Sequence, residues 1–352
     1  MPLFSRTSSR DLAQDLTERF PWSGRRWRLG RTGTALTAGA AVLGGLALAN
    51  HLLARRAERR NPPKGRFVEV NGVRLHYIEK GSGSPIVLLH GNAVTAEDFA
   101  ISGLLDRLAQ RHRVIAFDRP GFGYSQRPRG TVWTAQAQAA LFHAALGQMG
   151  IRKPVLVGHS WGTLVALSMA LDNRLNTAAV VLLSGYYTPG PRADVALTLW
   201  PAVPVLGDIL RYTVSPLLGR LLLPLAVRKM FAPAPVPARF SAGFPFSLML
   251  RPSQIRATAA DSALMIPGAA SLLKRHGELA VPLTVVAGSD DKIVDTAKQS
   301  GRLHRDVPGS AMLSVGGAGH MIHHLALEQV AGAIESAAAQ GSDAGRSLPR
   351  PA

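Results

Sequence analysis

Five consecutive residues restrict this chain more than any others: Gly158-His159-Ser160-Trp161-Gly162, a G-x-S-x-G directly after an apolar run at 154–158 and directly before a helical stretch at 161–171. A chain that passes from strand to helix through a serine must double back within a few residues, so small residues flank the bend. The bend lifts the hydroxyl clear of the sheet, and the helix turns its positive N-terminal end toward it. A strand followed at once by such a helix belongs to a βαβ architecture, and the rest of the sequence is read against that demand.

The rhythm extends in both directions. Residues 67–70 and 73–79 flank Asn71-Gly72, a two-residue hairpin signal, so the domain is predicted to open with antiparallel strands. Strands follow at 86–89, 113–117, 154–158 and 178–184, with helices at 95–110, 134–149 and 161–171 between them. Their unbroken Val and Leu runs suit a parallel sheet covered on both faces. Between 185 and 280 the pattern breaks into a Pro-rich, apolar region with helical patches at 195–199 and 217–230. It resumes with a strand at 283–287, a helix at 296–303, a strand at 311–315 and a helix over about 322–338. An insertion at that point would cover the carboxyl edge of the sheet, where open α/β sheets bind ligands. The tail after Gln340 is too polar and Gly-rich to order on its own.

Composition enters through the N-terminus. The net charge of +18 suits a polyanion partner, yet its arginines gather at Arg25, Arg26, Arg28, Arg31 and again at Arg55, Arg56, Arg59, Arg60, with no basic run interleaved by aromatics. That distribution argues against nucleic acid and for a membrane surface. Between the clusters, residues 34–54 carry no charge, and as a helix they would be about 30 Å long, the thickness of a hydrocarbon core. An uncleaved membrane anchor over 33–54 is therefore expected, with 1–32 a basic segment and 55–65 a linker. A removed export signal is the rival, since Arg25-Arg26 precedes the apolar run and Ala47-Leu48-Ala49 resembles a cleavage site. Basic residues at both ends leave the orientation open. The absence of cysteine excludes a disulfide framework and a thiolate metal site, and no His or carboxylate cluster has metal-ligand spacing.

A serine hydroxyl is a weak nucleophile until a base takes its proton and a third group fixes the base's tautomer. Gly288-Ser289-Asp290-Asp291-Lys292-Ile293-Val294 places a carboxylate after the strand at 283–287, and Gly316-Gly317-Ala318-Gly319-His320 places an imidazole after the last strand. Serine, carboxylate and imidazole thus fall at three strand ends on one rim.

These motifs, in the order Ser, Asp, His, resemble the α/β-hydrolase family over roughly residues 67–338, with the inserted region matching in position and character only. The resemblance implies a mostly parallel eight-stranded sheet flanked by helices, residues 66–338 as the domain, and a helical cap at 185–280 after the sixth strand. It implies Ser160 as nucleophile, His320 as base and Asp291 as acid, the last over Asp290 because Gly288, Asp291 and Val294 fit G-x-x-D-x-x-V. By position the backbone N–H groups of Asn92 and Trp161 would hold the oxyanion, and Asp118 to Ser125 is similar to the loop after the family's fourth strand. His90 would brace the oxyanion loop, His159 would pack beside the serine, and Asp118 would shape its turn.

The expected reaction is hydrolysis of an ester or related acyl bond in a hydrophobic small molecule, without cofactor, under an apolar roof supplied by the insertion. Asn92 and Trp161 are also similar to residues of haloalkane dehalogenases, but those enzymes attack with an aspartate. Cofactor-free haloperoxidases and carbon–carbon bond hydrolases keep a serine triad and stay open as alternatives, as does a non-catalytic, membrane-tethered binding protein.

Overall fold

The structure, a computed structural model, describes residues 31–344 apart from 193, 194, 196 and 197. The chain divides into two compact units, Met1–Gly45 and Leu46–Ala352. The first contributes only the beginning of helix α1 (Arg31–Arg60) to the described residues. Residues 1–30 of the basic segment expected at 1–32 and the end of the tail at 345–352 lie outside them, as does part of the patch at 195–199.

In the second unit a single sheet runs in the order β1-β2-β4-β3-β5-β6-β7-β8. Its strands are β1 (Arg66–Val70), β2 (Val73–Lys80), β3 (Pro85–Leu89), β4 (Arg113–Phe117), β5 (Val155–His159), β6 (Ala179–Leu183), β7 (Leu283–Gly288) and β8 (Ala311–Val315). β1 and β2 are antiparallel to each other, β2 is antiparallel to β4, and every other pairing is parallel. Because β4 lies on one side of β3 and β5 on the other, the topology switches direction at β3 and β5. A crevice opens there at the carboxyl ends of the strands, and the loop after β3 and the turn after β5 both face it.

Helices α4 (Ala135–Gln148) and α5 (Gly162–Asp172) cover one face of the sheet, while α2 (Glu97–Ser102), α3 (Leu104–Ala109) and α13 (Leu327–Ala344) cover the other. Central strands therefore bury both sets of side chains: β5 and β6 are buried at every position. Thr134 caps α4 by accepting the N–H of Ala137 at 3.1 Å, which sets its start.

Four boundaries differ from the sequence reading. The helix expected over 95–110 is two helices, because Gly103 adopts φ 87°, a left-handed conformation that ends α2 and redirects the chain into α3. The helix expected at 296–303 begins only at Ser300, as α11 (Ser300–Asp306), after a turn in which Thr296 donates to the carbonyl of Gly288 at 2.6 Å. At the C-terminus a short α12 (Ile322–Leu325) precedes α13, which continues to Ala344. The start of the tail is ordered because Gly341 packs against the carbonyl of Ala178, an approach that a Cβ would block. α1 likewise continues through Arg60, taking in residues 55–60 of the expected linker.

Between β6 and β7 the inserted segment forms α6 (Leu206–Tyr212), α7 (Ser215–Phe231), α8 (Ala238–Gly243), α9 (Phe246–Met249) and α10 (Pro252–Leu273). Its aromatic side chains Phe231, Phe240 and Phe244 pack with Val94 and Met321, residues next to the carboxyl-edge loops.

The turn after β5 depends on missing side chains. A Cβ at Gly162 would strike the carbonyls of Leu89 and His90, and one at Gly158 would lie 2.6 Å from the carbonyl of Gly162. Gly332 in α13 has open space around it. We expect Gly162→Ala to cost about 2–4 kcal/mol in urea denaturation, whereas Gly332→Ala should be neutral or stabilise by up to about 1 kcal/mol.

Candidate active site

Ser160 occupies the first position after β5 with φ 51°, a conformation that L side chains rarely adopt. Its N–H donates to the carbonyl of Leu183 on the neighbouring strand at 2.8 Å, which anchors the turn while the side chain projects above the sheet edge. α5 begins two residues later, so its N-terminal end faces the serine.

The other two strand-end residues reach the same point. His320 Nε2 lies 2.9 Å from Ser160 Oγ, and His320 Nδ1 lies 2.7 Å from Asp291 Oδ2. Asp291 Oδ1 accepts the main-chain N–H groups of Ile293 (2.7 Å) and Val294 (3.0 Å), so the carboxylate cannot swing away from the imidazole. Asp290 instead pairs with its neighbour Ser289 on the surface. With its Nδ1 proton directed at Asp291, His320 presents a lone pair at Nε2 to the serine hydroxyl. Three residues separated by as much as 160 positions thus form one continuous hydrogen-bonded line.

Asn92 and Trp161 flank the serine on the β3 and β5 loops. Asn92 Nδ2 donates to the carbonyl of Thr258 (3.1 Å) and to Ser262 Oγ (3.0 Å), and Trp161 Nε1 donates to the carbonyl of Asp261 (2.8 Å). Both side chains are therefore tied to α10. Among the described residues, no acceptor takes the main-chain N–H of either one. Gly91 lies against the serine so closely that an added Cβ would sit 3.0 Å from Ser160 Cβ.

A layer of buried polar groups beneath the site was largely invisible in sequence. Arg119, fully buried, donates to the carbonyls of His90 (2.8 Å) and Gly91 (3.0 Å) and pairs at 2.6 Å with Asp261 of α10, which Arg127 also approaches at 2.9 Å. Its guanidinium lies over the Trp161 ring, 4.5 Å from the centroid. His90 accepts the Arg119 N–H at Nε2 (2.9 Å) and faces the carbonyl of Gly91 with Nδ1 (2.7 Å), so only its neutral form fits. Burial, reinforced by the Arg119 charge, lowers its pKa to about 4.

On the other side, Asp98 bridges two histidines, with His323 Nε2 and His324 Nε2 each 2.8 Å from its carboxylate oxygens. This cluster brings together metal-ligating side chain types from distant positions, a grouping that spacing along the chain does not reveal. Burial works to raise the Asp98 pKa, but the two imidazoles overcome it and hold the carboxyl well below its usual range. His159 packs between His320, tilted to it with ring centroids 5.1 Å apart, and His323, edge-on at 4.5 Å, and burial keeps it neutral. Asp118, bonded to His76 (2.7 Å) and to the N–H groups of Ala96 (2.8 Å) and Tyr124 (3.0 Å), shapes its loop.

The apolar roof expected from the insertion is arranged differently. Asn92 and Trp161 meet the polar face of α10, through Thr258, Asp261 and Ser262, Val94 and Met321 meet the aromatic cluster of the same insertion, and five leucines of α7 point outward. α7 is rich in leucine, and only its Pro216, Val227 and Phe231 are buried.

A sequence profile described as the alpha/beta hydrolase fold matches residues 84–327. Haloalkane dehalogenase 2 of Mycobacterium tuberculosis is 28% identical over 128 residues, 36% of this chain and 44% of the relative. The soluble epoxide hydrolase of a Corynebacterium species is 36% identical over 105 residues, 30% of this chain and 36% of the relative. The chain thus spans less than half the length of either relative. Among solved structures, a thermophilic esterase from Thermogutta terrifontis superposes with a TM-score of 0.63 over 79% of this chain and 99% of the esterase, at 22% identity.

Two outcomes are expected. Asp261→Ala, which strands a buried guanidinium, should lose about 3–5 kcal/mol of stability in urea denaturation. Separately, the folded pKa of His90, about 4, lies below its ordinary value of 6.5, so the unfolded chain binds protons that the folded chain refuses. Stability should therefore be complete above about pH 6.5 and decline as pH falls toward 4, by about 3 kcal/mol from this group. His159 and His323 shift in the same direction. Denaturation curves collected at constant ionic strength across that window provide the check, and a flat profile would contradict it.

Proposed function

We propose that this chain, which belongs to the alpha/beta hydrolase fold family, is a membrane-anchored serine hydrolase that cleaves an ester of a hydrophobic small molecule. The observation that carries the reading is the 2.9 Å approach of His320 Nε2 to Ser160 Oγ, with Asp291 2.7 Å behind the imidazole.

In this mechanism Ser160 Oγ attacks the ester carbonyl while His320 Nε2 takes its proton, and the Asp291 carboxylate stabilises the imidazolium. The carbonyl oxygen becomes an oxyanion held by the main-chain N–H groups of Asn92 and Trp161. Collapse breaks the bond to the alkoxy group, which leaves as an alcohol with the proton from His320. Water, deprotonated by the same imidazole, then attacks the acyl-serine and restores the hydroxyl. The positive-φ turn and the start of α5 favour this chemistry, since they aim fixed dipoles at the place where charge develops.

Two features favour an acyl substrate over a halide or an epoxide. Displacing a halide or opening an epoxide through a covalent ester requires a carboxylate nucleophile, and the group beside His320 is a hydroxyl. The side-chain N–H groups of Asn92 and Trp161, which could grip a departing halide, are bound to α10. Apolar character in the substrate is supported by Val94 and Met321, which adjoin Asn92 and His320 and belong to the Phe231–Phe240–Phe244 cluster.

Anchoring is supported by α1, whose segment from Thr32 to Arg60 contains an 18-residue stretch with a mean hydropathy of 1.5, of which 6% is buried, and is long and apolar enough to cross a membrane.

Ser160→Ala should remain folded, lose fluorophosphonate labelling and lose at least about a thousandfold in turnover of short p-nitrophenyl esters. Comparable turnover by that variant would overturn the assignment. The full chain should stay with the membrane pellet after carbonate extraction, and release into the supernatant would overturn the anchor.

A further inference from the structure

α6 and α7 meet at a 65° bend. Their outward faces are strongly apolar: Leu206, Ile209, Leu217, Leu218, Leu221, Leu222 and Leu225 are all exposed, Leu221 to 75% and Leu225 to 68%. Scattered apolar residues on a surface need no explanation, but a contiguous face of this kind marks an interaction site. A groove of about 590 Å³ lined by Leu221, Leu223, Pro224, Leu225 and Val227 runs along it.

The bend holds the clue to what covers this face. A helix that stops leaves main-chain carbonyls unbonded, which is harmless in water and costs several kcal/mol each in hydrocarbon. Here Asn50, 3% exposed, donates through Nδ2 to the carbonyls of Tyr212 (2.9 Å) and Thr213 (2.8 Å), and Thr213 Oγ1 donates to the carbonyl of Ile209 (2.7 Å). The carbonyls of Ile209, Tyr212 and Thr213 at the bend are thus satisfied from within the protein. The donor comes from the C-terminal half of α1, the helix of bilayer length, and Leu53, Arg56 and Arg60 of α1 line a common hollow with Arg220 of α7. Cations border the apolar face: Arg220, Arg228 and Lys229 on α7 and Arg55, Arg56, Arg59 and Arg60 on α1. An apolar helix face with basic residues at its margin suits the boundary between anionic headgroups and acyl chains.

We infer that the α6–α7 elbow is immersed in the outer part of an anionic lipid bilayer, so that α1 and the inserted segment grip the membrane together. Val227 and Phe231 of α7 pack on Val94 and on Met321, the residue after His320, so the elbow's own helix reaches the margin of the site and brings a substrate dissolved in the bilayer to it without crossing water. This second step rests on the serine-hydrolase reading, whereas the immersion itself does not.

The chain contains no cysteine, so one introduced cysteine reports on one place. Leu221→Cys in the full chain, labelled with an environment-sensitive nitrobenzoxadiazole and reconstituted into phosphatidylcholine–phosphatidylglycerol vesicles, should show blue-shifted emission and at least about fivefold weaker quenching by iodide than the same label at Arg111→Cys. Arg111 precedes β4 at the opposite edge of the sheet. Equal quenching at the two positions would overturn immersion. So would shielding that appears in detergent and grows with protein concentration, since a second copy of the chain would then cover the face.

For delivery from the bilayer, Leu221→Glu combined with Leu225→Glu should lower turnover of a long-chain ester dissolved in vesicles at least about tenfold and leave p-nitrophenyl butyrate turnover unchanged. Equal loss on both substrates, or no loss on either, would overturn delivery. If the native chain turns over neither ester, the hydrolase reading and delivery fail together, while the quenching result still decides immersion.

Discussion

A guanidinium with no access to water organises the region around Ser160. Burying Arg119 is costly unless its charge and donors are all met, and the partners that meet them come from separate parts of the chain: the carbonyls of His90 and Gly91 after β3, the carboxylate of Asp261 in α10, and the π face of Trp161 after β5. Each partner borders the place where an oxyanion would form. Satisfying one cation thus fixes the separation between the β3 loop and the β5 turn, and it couples both to the inserted segment. Rigid placement of main-chain N–H groups requires such support from behind, because a donor free to relax toward water does not stabilise developing charge.

The same region keeps His90 and His159 uncharged. His90 is fixed as a donor to Gly91 and an acceptor from Arg119, and His159 is buried between two rings. Asp98 concentrates negative charge on its bonds to His323 and His324 at the start of the helix that follows His320. These arrangements give the site its shape without placing further protons on imidazoles that face the triad line.

What could be read from the sequence was what is encoded locally or by strand order. The G-x-S-x-G turn, the Asn71-Gly72 hairpin and the Val and Leu runs each specify their own geometry, and the eight-stranded sheet follows from them. Ser160, Asp291 and His320 were nameable because each follows directly on a strand, and strand ends of a parallel sheet share an edge. Asp261 gave no such signal: it sits in the middle of a long helix, and its role comes from Arg119 and Arg127, both more than a hundred positions away. Asp98 was hidden in the same way inside a short amphipathic helix. The break at Gly103 was missed because the apolar period carries on across it, while a left-handed glycine changes direction without changing composition.

The orientation of the inserted segment was less legible, for a more instructive reason. Its hydrophobicity suggested a roof over the pocket, yet hydrophobicity says only that a surface avoids water, not which way it faces. α10 turns a polar face inward because Arg119, Asn92 and Trp161 present a buried charge and buried N–H donors that only oxygen acceptors can satisfy. With that inner position taken, the leucines of α7 have no interior left to fill. The electrostatic demand of the oxyanion loop and the apolar exterior are therefore two consequences of one constraint: polar groups at the centre of the site determine which part of the insertion packs inward, and the remaining apolar part must find a solvent other than water.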